Sequence, residues 1–303
     1  MVRTVTKFFL SWALLSGSLG TQAQTLFACE PEWATLAKVL MPQAQVASAT
    51  TPMQDPHHIE ARPALIAQLR RADMVLCTGA GLEEGWLPVL QQKSGNARVQ
   101  NGQPGMFWAT EGQTLIGRQS ATGSPFEGDV HPQGNPHIHA NPKRLLQVAQ
   151  ALALRMGQLW PEQAEAIEQR RQAFELRWQA HLSRWQRQAF PLRGAAVAAQ
   201  HTHFAYVWEW LELQQVADLE PKPGLSPTPA HLQQVAQQLR TRQPAVLGLA
   251  LASHQDLRAA RWIGQQIPGL TVWVWPATVA AGGEEDLVRW YDAMLNDLTR
   301  AKS

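Results

Sequence analysis

The longest periodic stretch of the chain is residues 161–188, which read PEQAEAIEQRRQAFELRWQAHLSRWQRQ. Glu, Gln and Arg occupy one face of this stretch. The apolar residues recur at mostly three- and four-residue spacing: Ile167, Phe174, Trp178, Leu182 and Trp185. This spacing predicts one amphipathic helix about 40 Å long at 1.5 Å per residue. A coiled-coil arm is the alternative, but the stretch has a single apolar stripe and is too short for a dimerisation stalk. We interpret residues 160–189 as a spine helix that joins two lobes.

Strands alternate with helices on both sides of this spine. Short apolar runs typical of buried strands lie at residues 25–29, 44–49, 74–77, 194–199, 216–219, 245–251 and 271–275. Helical patterns follow most of them, including one that we expect to begin at Leu82, and residues 99–135 predict only a weak strand or hairpin and a long loop. This alternation predicts an α/β fold, in which each lobe has a mainly parallel sheet flanked by helices. The N-terminal lobe would span residues 24–159 and the C-terminal lobe residues 190–303.

The first residues have the pattern of a secretory signal. Arg3 and Lys7 precede an apolar run at residues 8–19, and small residues stand at Thr21 and Ala23. The run is too short to span a bilayer, so we expect a signal peptide over residues 1–23 and export to the periplasm. A retained membrane anchor is the alternative. The net charge is +2, and because no basic stripe is present, nucleic acid is not expected as a partner.

The chain has two cysteines, Cys29 and Cys77. An even number of cysteines in an exported protein favours a disulfide. Each cysteine ends a short apolar run, so the two would lie side by side if those runs are neighbouring parallel strands. Such a bridge would stabilise the fold by about 4 kcal/mol in the chain-entropy model. The alternative is that one cysteine is a zinc ligand.

Histidines occur in three groups: His57-His58, His131 with His137 and His139, and His201 with His203. The groups follow predicted strands or lie in loops at the edge where ligands bind parallel sheets. Neutral imidazole is the commonest ligand for transition metals. Three imidazoles and a fourth oxygen ligand would form a tetrahedral zinc site with bonds of about 2.0–2.1 Å. The alternative for any one group is a solvated polar loop.

Enzyme motifs are weak or missing in this sequence. It contains no His-Glu-x-x-His and no Gly-x-Ser-x-Gly, the signatures of common zinc proteases and serine hydrolases. Gly79-Ala80-Gly81 suggests a dinucleotide turn, but Glu84 stands where the third glycine would be. We therefore interpret these glycines as a packing turn.

Several motifs together resemble the periplasmic zinc- and manganese-binding components of metal ABC transporters. Residues 55–63 (DPHHIEARP), 135–142 (NPHIHANP) and 200–206 (QHTHFAY) are similar to the three ligand loops of that family, and residues 72–79 to one of its strands. The resemblance covers the whole mature chain. It implies that His57, His137 and His201 bind the metal, that the spine limits domain closure, and that the protein is not an enzyme.

The sequence departs from the family at the fourth ligand. Asn135 and Asn141 stand where Asp is usual, and His139 stands where the family has an aromatic residue. The region that often supplies a carboxylate, residues 275–282, contains none. Manganese prefers oxygen ligands, so we expect Zn²⁺ rather than Mn²⁺ as the transported ion. Water, Glu60 or a spare histidine such as His139 would complete the site.

The resemblance also implies the partners of the protein. We expect a monomer that delivers zinc to an inner-membrane ABC permease, and a periplasmic metallochaperone is a further candidate partner. Two other functions remain as alternatives at this point. One is a zinc-dependent hydrolase, and the other is a metal-buffering or adhesion protein without a permease.

Overall fold

The computed structural model describes residues 23–118 and 128–302. The N-terminal lobe contains a parallel four-stranded sheet. Its elements are β1 (Thr25–Ala28), α1 (Pro31–Leu40), β2 (Gln45–Ser48), α2 (Pro63–Arg71), β3 (Met74–Cys77), α3 (Leu87–Ser94) and β4 (Met106–Trp108). The strand order is β2-β1-β3-β4, and every neighbouring pair is parallel. The predicted signal peptide lies outside the described residues except for Ala23.

Two helices then lead from this lobe to the next, α4 (Pro142–Leu159) and α5 (Ala164–Ala189). The C-terminal lobe repeats the architecture of the first. Its elements are β5 (Ala196–Ala199), α6 (Ala205–Leu211), β6 (Gln214–Asp218), α7 (Pro229–Thr241), β7 (Leu249–Ala252), α8 (Leu257–Gln266), β8 (Val272–Trp275) and α9 (Glu284–Lys302). The order β6-β5-β7-β8 is again wholly parallel. The predicted two-lobed α/β fold is confirmed.

The predicted spine is α5, and its apolar stripe is buried as the spacing indicates. Phe174, Trp178 and Trp185 are fully enclosed. The indole of Trp178 donates to the Pro142 carbonyl at 2.8 Å, and that of Trp185 donates to Asp292 at 2.6 Å. One apolar core therefore runs from the first sheet through α5 to α9 and the second sheet.

Cys29 and Cys77 form a disulfide, as predicted. Cys29 comes immediately after β1 and Cys77 is the last residue of β3. Since β1 pairs with β3 in parallel, the two cysteines are neighbours. Their Cα atoms are 4.8 Å apart, within the range that a disulfide spans. Neither thiol is free to bind a metal, so the alternative of a cysteine ligand does not hold.

The prediction of a helix from Leu82 is wrong, because α3 begins only at Leu87. Gly79, Ala80 and Gly81 all have positive φ angles. Residues 82–86 continue as successive turns, in which the Leu82 amide donates to the Gly79 carbonyl and the Trp86 amide to the Glu83 carbonyl. The carboxylate of Glu83 accepts hydrogen bonds from the backbone amides of Thr78 and Gly79. A compact turn therefore occupies the expected first turn of the helix.

Other boundaries differ from prediction by a few residues. The helical pattern predicts a start at His254, but α8 begins three residues later at Leu257, because Asp256 caps it by accepting from the Arg258 amide. The weak strand expected within residues 99–135 is β4, and residues 119–127 of that segment lie outside the described part. No helix in the described part has the length and apolar character needed to cross a bilayer.

Candidate metal centre

Three imidazoles from three separate loops meet in the cleft between the lobes. His57 lies in the loop after β2, His137 precedes α4, and His201 is the second residue after β5. One nitrogen from each ring lies within 4.8 Å of the other two. The ring centroids are 5.5 to 6.1 Å apart. The loops meet here because both sheets end their parallel strands at the cleft.

Carboxylates hold two of these rings in place. Asp55 accepts from Nδ1 of His57 at 2.7 Å and from the His57 amide at 3.0 Å. Glu220 lies 2.7 Å from Nδ1 of His201. A carboxylate on Nδ1 fixes the tautomer and leaves Nε2 as the coordinating atom, an arrangement common around metal-binding histidines.

His137 is the most deeply buried of the three, with 1% of its surface exposed. Neither of its ring nitrogens has a hydrogen-bond partner in the described part of the chain. An unpaired buried polar group costs about 1–3 kcal/mol, and a bound metal ion would satisfy it. Burial, and then the neighbouring imidazoles, hold the pKa of His137 well below its ordinary value. The ring is therefore neutral at physiological pH, which is the form that binds metals.

The pKa of His201 is raised from its ordinary value, whereas the pKa of His131 is lowered. Burial lowers the pKa of His201, but the hydrogen bond and charge of Glu220 outweigh it and the net pKa is raised. Burial, followed by the charges of His57 and His201, lowers the pKa of His131 to about 3. The cleft therefore favours neutral rings except where a carboxylate supports the charge.

His139 does not join the three-imidazole group but belongs to a buried network between the lobes. Its Nδ1 lies 3.1 Å from a carboxylate oxygen of Glu32, and its Nε2 lies 3.1 Å from the carbonyl of Ala277. His203 donates to the same carbonyl at 2.7 Å, and Thr278 donates its hydroxyl proton to Glu32. Glu32 is in the first lobe and Ala277 in the second, so this network ties the lobes together.

The remaining predicted residues lie around the cluster. The ring of His139 stacks on Trp290 with centroids 5.5 Å apart. Glu60 is exposed and is not in the three-imidazole group. The side chain of His58 is 71% exposed and lies 3.7 Å from Asp129. His131 approaches the cluster closely, with Nε2 3.1 Å from Nε2 of His57.

Sequence reasoning missed the residues that orient the ligands. Asp55 stands two positions before His57 and forms a local turn that presents its carboxylate to the ring. Glu220 lies just beyond β6, the strand next to β5, so adjacency of those strand ends was the available signal. His254 was also missed, and it lines the same cleft, whose volume is about 760 Å³.

Two parallel α/β lobes joined by one long helix, with a histidine cluster in the cleft, define a solute-binding protein for a metal ion. Residues 27–301 match the family described as zinc-uptake complex component A, periplasmic. The chain belongs to this family. Its members are binding proteins rather than enzymes, so the hydrolase alternative does not hold. No curated protein sequence matches the chain.

Solved structures share the fold at low sequence identity. A structure of ZnuA aligns with a TM-score of 0.78 and 19% identity over 93% of this chain and 100% of its own. FpvC of Pseudomonas aeruginosa, in complex with Mn²⁺, aligns at 0.73 and 17% over 92% and 98%. A mutant of the laminin-binding adhesin of Streptococcus agalactiae aligns at 0.74 and 18% over 93% and 100%.

The interlobe network should stabilise the fold measurably. Glu32→Ala would leave the buried Thr278 hydroxyl without its acceptor and would remove the carboxylate beside His139. We expect the free energy of unfolding to fall by at least about 1–3 kcal/mol, measured by urea denaturation. Glu285→Ala is the matched control, because the Glu285 side chain is 92% exposed. Equal losses in the two variants would contradict a stabilising role for the network.

Proposed function

We propose that this protein captures Zn²⁺ in the periplasm through His57, His137 and His201 and delivers it to an inner-membrane ABC permease. The observation that carries the proposal is the ring of His137. It is buried, neutral, without a hydrogen-bond partner in the described part, and grouped with two oriented imidazoles. A transition-metal ion is the ligand that such a group fits best.

The ligand set argues for zinc over manganese. The grouped atoms are imidazole nitrogens, and the nearest carboxylates, Asp55 and Glu220, are engaged with Nδ1 atoms. Nitrogen ligands suit zinc, whereas manganese prefers oxygen. The Mn²⁺ held by FpvC belongs to a protein only 17% identical, so the likeness of fold does not decide the metal here.

Removing one ligand should weaken zinc binding strongly. Losing a residue that only orients a ligand typically weakens metal binding by about 10–100-fold. We expect His137→Ala and His201→Ala each to raise the Kd for zinc by more than this. Titration with zinc and with manganese in parallel, followed by metal analysis, would measure this. His58→Ala is the control, because that exposed ring stands next to His57 but outside the group. Equal and small effects in all three variants would contradict the assignment.

Zinc affinity should fall in acid, and His201 should determine where the fall begins. Metal and proton compete for a coordinating imidazole. His137 is already neutral, whereas the pKa of His201 is raised by Glu220 after burial has lowered it. Affinity should therefore be constant above the pKa of His201 and should drop below it by about tenfold per pH unit for one competing proton.

Glu220→Gln provides the matched test of this pH dependence. The variant removes the charge that raises the pKa of His201, so the onset of the loss should move to lower pH. Isothermal titration across a pH series would report it. The same onset in both proteins would exclude His201 as the competing group.

Delivery to a permease needs a test in cells. The family description of zinc uptake in the periplasm supports this role, and a metallochaperone upstream is compatible with it. We expect a strain lacking this gene to take up radioactive zinc more slowly under chelation, and the wild-type gene to restore uptake. The His137→Ala gene should not restore it. Normal uptake in the deletion strain would favour a buffering or adhesive role. The laminin-binding adhesin that shares the fold is named for such an adhesive role.

A further inference from the structure

We propose that His131 supplies the fourth metal ligand, so that the ion is held by four imidazoles. This inference deepens the proposed function and rests on it. The position was expected to be filled by water, Glu60 or a spare histidine. His131 is the candidate whose ring nitrogen lies beside that of His57, although it stands outside the group of nitrogens that lie within 4.8 Å of one another. The resulting centre would contain no carboxylate in direct contact with the ion.

The separation of two ring nitrogens carries the inference. Nε2 of His131 lies 3.1 Å from Nε2 of His57, and the rings stack with centroids 5.2 Å apart. Two ligands of a tetrahedral zinc ion with bonds of about 2.0–2.1 Å stand about 3.3 Å apart. These two nitrogens are therefore at nearly the spacing that a shared ion requires.

The other nitrogens of the two rings explain why their Nε2 atoms face each other. Nδ1 of His57 meets the carboxylate of Asp55 at 2.7 Å, so that nitrogen donates to the carboxylate. The backbone of Ala80 hydrogen-bonds His131, and a Cβ added at Gly81 would lie 3.2 Å from Nδ1 of His131. With a proton on each Nδ1, the two facing Nε2 atoms present lone pairs that one cation can bind.

The turn at Gly79-Ala80-Gly81 would position the His131 ring. Its three positive φ angles bring the backbone against the His131 ring, and Gly81 leaves space for that ring. These glycines, which in the sequence suggest a dinucleotide turn, are better explained as the backbone support of this ligand. Glu83 fixes the turn by accepting from the Thr78 and Gly79 amides.

The segment that carries His131 is held from both sides of the cleft. The Asp129 amide donates to the Pro223 carbonyl of the other lobe at 2.8 Å. The Gly134 amide donates to the His131 carbonyl at 3.0 Å, which closes a turn after the histidine. The loop of the second lobe that contains Pro223 also contains Glu220, the partner of His201. The fourth ligand is therefore placed by contacts from both lobes.

Four neutral imidazoles have a consequence for selectivity. The site would lack the oxygen ligands that manganese prefers and would suit Zn²⁺ and other nitrogen-seeking ions. It would also leave no position for water, like the closed coordination of structural zinc sites. This set distinguishes the centre from a three-histidine site that is completed by water.

X-ray absorption at the zinc edge tests the inference by counting imidazoles. We expect four in the wild-type protein and three plus one oxygen in His131→Ala. Zinc affinity should fall by at least about tenfold, the lower end of the range for losing an outer-shell partner. In His131→Asp, the ratio of zinc to manganese affinity should fall because a carboxylate suits manganese.

Control variants separate failure of this inference from failure of the proposed function. His58→Ala should retain four imidazoles and the wild-type affinity. His131→Gln removes the ring with little loss of volume, so it should reproduce the His131→Ala spectrum if misfolding is not the cause. Three imidazoles in the wild-type protein, unchanged in His131→Ala, would overturn the role of His131 and leave three-histidine capture intact. Absence of zinc binding by the wild-type protein would overturn both.

Discussion

The burial of the α5 stripe fixes the distance between the lobes, and the metal centre depends on that distance. Trp178 and Trp185 are anchored both by packing and by their indole hydrogen bonds, one to the start of α4 and one to α9. Closely packed protein cores resist small displacements of their side chains. Since the loops that carry His57 and His201 follow strands of different sheets, a rigid connection is needed to hold their ring nitrogens within 4.8 Å of each other.

The centre illustrates a conflict between stability and binding. His137 and His203 are buried among other imidazoles, and both have pKa values well below the ordinary value, first because of burial and then because of their neighbours. In an unfolded chain these rings would take up protons below pH about 6.5, so acid should weaken the fold as well as the binding of metal. A bound ion stabilises the folded state by mass action, which offsets this cost when cargo is present.

Local sequence patterns predicted the fold well because each element has its own signal. The spacing of Phe174, Trp178 and Trp185 indicated the spine, and the strand-helix alternation indicated both sheets. The site was harder because its contacts are between residues distant in the chain. The resemblance to a family pointed to His57, His137 and His201, which the structure brings together, but nothing local linked Glu220 to His201 or Glu32 to His139. The prediction of a helix from Leu82 failed because residues 82–86 form successive turns, and a hydrophobic pattern does not distinguish such turns from the first turn of a helix.

The contact between the lobes at the mouth of the cleft is made by backbone atoms, from the Asp129 amide to the Pro223 carbonyl. Substituting the Asp129 side chain would leave this donor and acceptor in place, so the hydrogen bond itself should survive such a change. Glycine is the exception on each side. A Cβ at Gly128 would lie 3.1 Å from Cγ of Leu225, and one at Gly224 would lie 2.9 Å from the Asp129 nitrogen. This junction therefore requires the absence of two side chains, a constraint of shape that is separate from the chemistry of Glu220 and His131 nearby.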